Sequence, residues 1–196
     1  MNKIVISLAF LLLQACAFTD ATLDVSHSAD ANFEGPISSV EAVSFSAPVI
    51  SDDRQDPDRI GFKKNGYGAN TADIMTKTPV NEIVSNGLVA GLSANNQSVI
   101  ENGRVAISGS LKKFWLEMDV NFWTVEFIGD VQCELIFTDT QSNKQIFSSI
   151  YNGTYSEKKA AGLEGTWTEI MGKAVDKLVE DVMFDEELTE ALQALE

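Results

Sequence analysis

The chain has 196 residues, with 14 basic against 29 acidic side chains, a formal net charge of -15 and 44% hydrophobic residues. A surface of that sign repels phosphate backbones and anionic headgroups, which argues against nucleic-acid binding and against a polybasic membrane contact. The length suffices for one domain with a real core, and a single histidine with two cysteines leaves little material for imidazole or thiolate chemistry.

The first segment reads as an export leader. Lys3 supplies a positive n-region and Ile4 to Leu13 form an apolar run, about half the length that a membrane-spanning helix requires. Leu13-Gln14-Ala15-Cys16 closes the run in the manner of a bacterial lipobox. Cleavage before Cys16 and acylation of its thiol would tether the remaining chain to a membrane, each buried methylene adding about 0.8 kcal/mol. A second scheme fits as well: Ala15-Cys16-Ala17 satisfies the small-x-small pattern of an ordinary secretory signal, which would release a soluble protein from Phe18. Gln14 stands where a lipobox usually has a small or β-branched residue. Ala17 is not the aspartate associated with inner-membrane retention, so the periplasmic face of the outer membrane is the expected destination. Once Cys16 is acylated, Cys133 has no disulfide partner.

Three segments are expected: 1–15 as signal peptide, 16–40 as lipidated cysteine and flexible tether, and 41–196 as a single α+β domain. Residues 17–40 are rich in Ser, Ala, Asp and Thr and are broken by Gly35-Pro36, so they read as a linker that lifts the domain from the lipid surface. Val43 and Phe45 then alternate with polar neighbours before Pro48-Val49-Ile50. An acidic loop spans Ser51 to Arg59, Ile60 to Lys64 extend, Asn65-Gly66-Tyr67-Gly68 turn, and Ala72 to Met75 extend again. Thr78-Pro79 marks a helix start, with Thr78 as cap and Pro79 in the first turn. Val80, Ile83, Val84, Leu88 and Leu92 keep a helical stripe, and Gly87 and Gly91 permit close packing on a sheet.

From Val99 the period becomes two. Asn102-Gly103 signals a hairpin. Val105, Ile107 and Leu111 share one face, yet Phe114, Leu116, Met118 and Val120 share the opposite parity, which a bulge near Lys112 would reconcile. Trp123, Val125, Phe127, Val131, Cys133, Leu135 and Phe137 predict one long strand facing the core, Asp139 to Asn143 a turn, and Gln145 to Tyr155 the returning strand. Thr166 and Glu169 form a capping box ahead of the apolar face Ile170, Met171, Ala174, Val175, Leu178 and Val182, and Asp185 caps a short terminal helix. The fold class is therefore α+β, an antiparallel meander sheet with two helices packed on one face.

This layout resembles the YajG-type bacterial lipoproteins over residues 40–192. The residues that carry it are Pro48-Val49-Ile50 followed by Asp52, Asp53 and Arg54, then Arg59-Ile60-Gly61, the Val80 to Leu92 helix, the long hairpins and the helix beginning near Trp167. The chain departs from that pattern after the first helix, where Ala94-Asn95-Asn96 replaces a Gly-aromatic pair. The resemblance implies an outer-membrane lipoprotein facing the periplasm, without a recognised enzymatic activity.

The chemistry of the side chains agrees with that reading. His27 lies in the expected tether, so no triad can be held rigidly around it, and the chain lacks the imidazole and thiolate groups for zinc or haem. Cys133 shares a strand face with Val131 and Leu135 and reads as a buried, inert thiol. Asp52, Asp53, Asp56 and Asp58 invite a calcium loop, but Tyr67 occupies the position of the closing glutamate, so a solvated turn paired with Arg54 and Arg59 is expected. Gly61 to Gly66 has the glycine spacing of a phosphate loop, with Tyr67 where lysine must stand. Glu117 and Asp119 share a strand face and read as solvated rather than as an acid/base pair. Trp115 lies opposite the core parity, beside Lys113 and Glu117, and is the candidate partner contact. No catalytic residue, cofactor or metal is expected. The function expected is a lipid-anchored binding module for another envelope component, the alternative being a carrier for an apolar ligand held between helices and sheet.

Overall fold

The computed structural model describes residues 18–28, 31–41 and 43–195, so the expected signal peptide and Cys16 lie outside the described residues. The elements run β1 (Ala21–Leu23), a 3-10 turn (Pro36–Ser39), β2 (Ser44–Phe45), β3 (Val49–Asp52), β4 (Gly61–Lys64), β5 (Asn70–Thr76) and α1 (Val80–Ala94). They continue with β6 (Ser98–Val99), β7 (Val105–Val120), β8 (Val125–Asp139), β9 (Lys144–Lys159), α2 (Glu164–Met183) and α3 (Glu186–Gln193).

The three long strands form the expected antiparallel meander, β7 with β8 and β8 with β9. The sheet as a whole is mixed, which corrects the purely antiparallel expectation. The free edge of β7 is long enough to be shared end to end by β2, β3 and β4, which pair with it in parallel at Val105, Ser108 to Leu111 and Leu116. β5 returns antiparallel to β4, and β1 adds in parallel to β5. β6 is parallel to β2, so the Asn102-Gly103 turn does not close a hairpin between β6 and β7: the two strands lie on opposite sides of β2.

The parity change in β7 is a bulge. Leu111 pairs with Cys133 and Lys113 with Gln132, so Lys112 is the extra residue. Below it Val105, Ile107 and Leu111 are buried, and above it Phe114, Leu116 and Met118. Trp123 does not continue the core face of β8. It sits in the turn that joins β7 to β8, 82% exposed, because the chain reverses at Asn121, whose N–H donates to the Thr124 carbonyl.

Three α-helices, one more than the fold expectation counted, form the second layer. α2 buries Ile170, Met171, Ala174, Val175, Leu178 and Val182, each of the larger side chains contributing about 1.5–3 kcal/mol. Its backbone rests directly on the sheet at Gly129 and Gly153: a Cβ on Gly153 would lie 2.0 Å from the Ala174 carbonyl oxygen. α1 buries its predicted stripe, but Gly91 makes room for Val179 and Met183 of α2, so that close approach is helix on helix rather than helix on sheet. Two caps shift from their expected positions. Pro79 rather than Thr78 precedes α1, its carbonyl accepting from Glu82 and Ile83, and α2 starts at Glu164 because the Leu163 carbonyl accepts from Thr166 and Trp167. Asp185 does cap α3, accepting from the Leu188 N–H at 3.0 Å.

The largest departure concerns the expected tether. Residues 21–28 and 31–40 are packed as a strap on the domain: Ala21, Leu23, Val25, Phe33, Ile37 and Val40 are all buried. After β1 the strap crosses α2 beside Gly172, and Ser28 donates its N–H to Asp176 at 2.9 Å. Asn95, fully buried at the end of α1, accepts from the Gly35 N–H at 2.8 Å and donates to the Phe33 carbonyl at 2.6 Å. Gln97 donates to the carbonyls of Ile37 and Val40, both at 3.2 Å. Isolated apolar residues enter the core while buried amides satisfy the irregular backbone between them.

Candidate functional site

The helices cover one face of the β7–β9 sheet; the other carries the residues of opposite parity. On β7 these are Lys113, Trp115 and Glu117, on β8 Asp130, Gln132 and Glu134, and on β9 Asn152 and Thr154, in register across the strands. They are tied laterally. Lys113 pairs with Asp130, Gln132 donates to Asn152 at 2.8 Å, and Lys112 reaches Glu134 at 3.5 Å.

At the β4 side of this face lies an open groove of about 790 Å³, lined by residues that include Arg54, Asp56, Lys112, Lys113, Trp115, Glu117 and Gln132. One wall is the acidic loop, whose shape Arg54 sets. Its guanidinium forks onto Asp52 with two contacts of 2.8 Å and also donates to the carbonyls of Pro57 and Arg59 at 2.8 Å. Such a bidentate pair is among the stronger ionic contacts. Arg59 in turn bridges Asp56 and Asp73 at 3.0 and 2.8 Å, so these carboxylates serve as partners of arginines, as expected of a paired turn.

Trp115 is half-buried in the floor of the groove. Phe62 of β4 stacks on it edge to face at 5.7 Å, and the Arg59 guanidinium lies 5.1 Å from the Phe62 centroid. The Trp115 indole N–H donates to Glu117 at 3.2 Å, and Lys64 pairs with the same carboxylate. Burial opposes ionisation of Glu117, but the hydrogen bonds from Lys64 and Trp115 and the lysine charge outweigh it and hold the carboxyl below its usual value. A carboxylate kept charged in this way is a poor proton donor near neutral pH.

A second open cleft, about 650 Å³, lies where the strap crosses α2, with His27, Tyr155, Glu169, Lys173 and Asp176 in its lining. His27 Nδ1 faces the Ser28 carbonyl at 3.3 Å and its ring lies edge-on to Phe33 at 6.2 Å. Cys133 is fully buried on the helix side of β8, and burial pushes its thiol up to about 12, as an inert core cysteine requires. Among the described residues no group of three His, Cys, Asp or Glu side chains is placed to hold a metal ion, and no helix is long and apolar enough to cross a membrane.

Sequence reasoning placed Trp115 and Glu117 on one face but missed Arg54, Phe62 and Lys64 as their neighbours, because β3 and β4 reach β7 through nonlocal parallel pairing. Residues 37–193 match the model of a family described as uncharacterised lipoprotein. The chain belongs to that lipoprotein family. No curated protein matches it. Among solved structures it is similar to protein XCC0632 of Xanthomonas campestris, with a TM-score of 0.57 at 7% identity over 90% of this chain and 98% of that one, a likeness of fold. Weaker similarity extends to CT253 of Chlamydia trachomatis, with a TM-score of 0.45 at 9% identity over 78% and 99%, and to lipoprotein GNA1162 of Neisseria meningitidis, with 0.30 at 9% over 68% and 96%.

Proposed function

We propose that this family member is a lipid-anchored lipoprotein of the outer membrane, of YajG type, held through Cys16 on the periplasmic face, and that it binds another envelope component without catalysing a reaction. The observation that carries the reading is the Trp115 groove: an aromatic pair set in a frame of ion pairs on a sheet face that the helices leave uncovered. Half-buried tryptophan beside arginine is the composition that dominates binding energy at protein interfaces. The lipobox Leu13 to Cys16 and membership of a lipoprotein family support the anchor, and Ala17 supports the outer membrane. The carrier alternative is weakened by the contact of α2 with the sheet at Gly129 and Gly153, which occupies the space where an apolar ligand would lie.

The test is site-specific photo-crosslinking from position 132, in place of Gln132, in an envelope that expresses the full chain. A discrete protein adduct that Trp115→Ala abolishes while the chain still folds, as judged by circular dichroism, is expected. An adduct of equal yield in Trp115→Ala, or none from this face, overturns the groove as the binding surface. Lipid copurifying in stoichiometric amount with the delipidated chain would favour the carrier instead.

A further inference from the structure

The strand directions bring four chain segments to one end of the sheet. β7 runs toward it and turns at 121–124; β9 runs toward it and leaves through 160–163; β4, parallel to β7, turns there at 65–69. β5 starts from that end, and β1, parallel to β5, is entered from it through residues 18–20. Each segment presents a large apolar side chain to solvent: Phe18 is 66% exposed, Tyr67 98%, Phe122 87%, Trp123 82% and Leu163 81%. Phe122 and Trp123 stack edge to face at 4.6 Å as the central residues of their turn, positions that turns ordinarily give to Gly, Asn or Asp. The opposite end carries such residues, with Thr140 to Asn143 between β8 and β9 and Glu101 to Gly103 before β7.

The lysines behind the aromatic tips are each paired with a carboxylate. Lys63 pairs with Glu164 at 3.7 Å, Lys64 with Glu117, Lys158 with Glu126 at 3.3 Å, and Lys159 with Glu157 at 3.4 Å. Four of the acidic side chains at this end are thus offset by lysines, with Asp20 and Asp119 outside those pairs, so the end is less acidic than the chain as a whole. Cys16 precedes Phe18 by two residues, so its Cα lies within about 7 Å of that of Phe18 by covalent geometry alone.

We infer that the rim formed by Phe18, Tyr67, Phe122, Trp123 and Leu163 seats the domain directly on the lipid surface in which Cys16 is anchored, its rings entering the headgroup layer. Tyr and Trp favour that layer because they combine an apolar body with a polar edge, and a second membrane contact beside an acyl anchor adds to its hold. The inference rests on the lipid anchor of the proposed function. Because β1 begins at Ala21, the domain stands on the membrane rather than at the end of a long tether, and the sheet face with Trp115 stands upright beside it.

The experiment uses the acylated full chain in phosphatidylcholine vesicles whose acyl chains are brominated, with wild type beside Trp123→Phe and Cys16→Ser. The expected result is a blue-shifted, bromine-quenched component of tryptophan emission that disappears in Trp123→Phe, while the unfolding midpoint stays unchanged because Trp123 is exposed. An acylated, vesicle-bound protein whose Trp123 stays open to aqueous acrylamide overturns the seating and leaves the anchor standing. A wild-type chain of the same unacylated mass as Cys16→Ser overturns the anchor and the seating together.

Discussion

The Tyr151 hydroxyl donates to the Asp185 carboxylate at 2.7 Å, so the residue that caps α3 also satisfies a buried phenol in the middle of β9. Burial first, and the adjacent carboxylate second, raise the Tyr151 pKa, which keeps the phenol protonated and able to donate. Asp185→Ala removes a helix cap and strands that hydroxyl, an expected loss of about 2–3 kcal/mol in urea unfolding. Tyr151→Phe leaves the cap in place and should lose only about 1 kcal/mol. Equal losses in the two variants would show that the cap carries no weight of its own.

Asn95 holds the strap. Replacing it with alanine leaves the Phe33 carbonyl and the Gly35 N–H without their partner, and each orphaned buried group costs about 1–3 kcal/mol. Asn95→Ala should therefore lose about 3 kcal/mol and make residues 31–40 susceptible to limited proteolysis before the domain unfolds. Cleavage at the wild-type rate would contradict the assignment of Asn95 as the clamp.

Gly153 and Gly165 should respond oppositely to alanine. A Cβ at Gly153 collides with the α2 backbone at Ala174 and Leu178, whereas nothing lies within 4 Å of one at Gly165. Gly153→Ala is expected to lose at least about 3 kcal/mol through displacement of α2. Gly165→Ala, in the first turn of that helix, should be neutral or gain up to about 1 kcal/mol. Melting temperatures of the two variants check both signs.

Asp176 gives the fold a pH dependence that opposes the usual carboxylate behaviour. Burial raises its pKa, and the Ser28 N–H and His27 offset only part of that. A carboxyl whose folded value exceeds the unfolded one contributes fully below the unfolded value of about 3.9, and that contribution is lost as the pH rises through the folded value. Asp176→Asn, which keeps an acceptor for Ser28, should melt higher than wild type at pH 7, and the two curves should converge near pH 4. A variant that melts lower at pH 7 would mean that the charge itself is needed there.

Much of the fold was legible because it is written in local period. The Lys112 bulge, the buried alternation of β8, the α1 stripe and the Asp185 cap follow from spacing between near neighbours. The strap was not legible: Leu23, Val25, Phe33 and Ile37 show no sustained period, and the partners of its backbone, Asn95, Gln97 and Asp176, are polar residues that read as turn or surface. Trp123 misled because it keeps the parity of Val125 and Phe127 across a chain reversal that no glycine marks. For the groove, parity placed Trp115 correctly, while Phe62 and Arg54 arrive through parallel pairing between segments distant in sequence.

The extra residue in β7 also sets how that strand tolerates change. Pairing with β8 is continuous on both sides of Lys112, so the two halves keep one sheet but answer to opposite numbering. In a scan of every position, polar substitutions should be rejected at odd residues from 105 to 111 and at even residues from 114 to 118. Removing Lys112 would join the halves in one regular alternation that still turns Phe114, Leu116 and Met118 to the core and Lys113, Trp115 and Glu117 away from it, at the cost of the local kink. A one-residue deletion there is thus a lighter lesion than one elsewhere along the strand, which would turn the residues between it and the bulge to the wrong face.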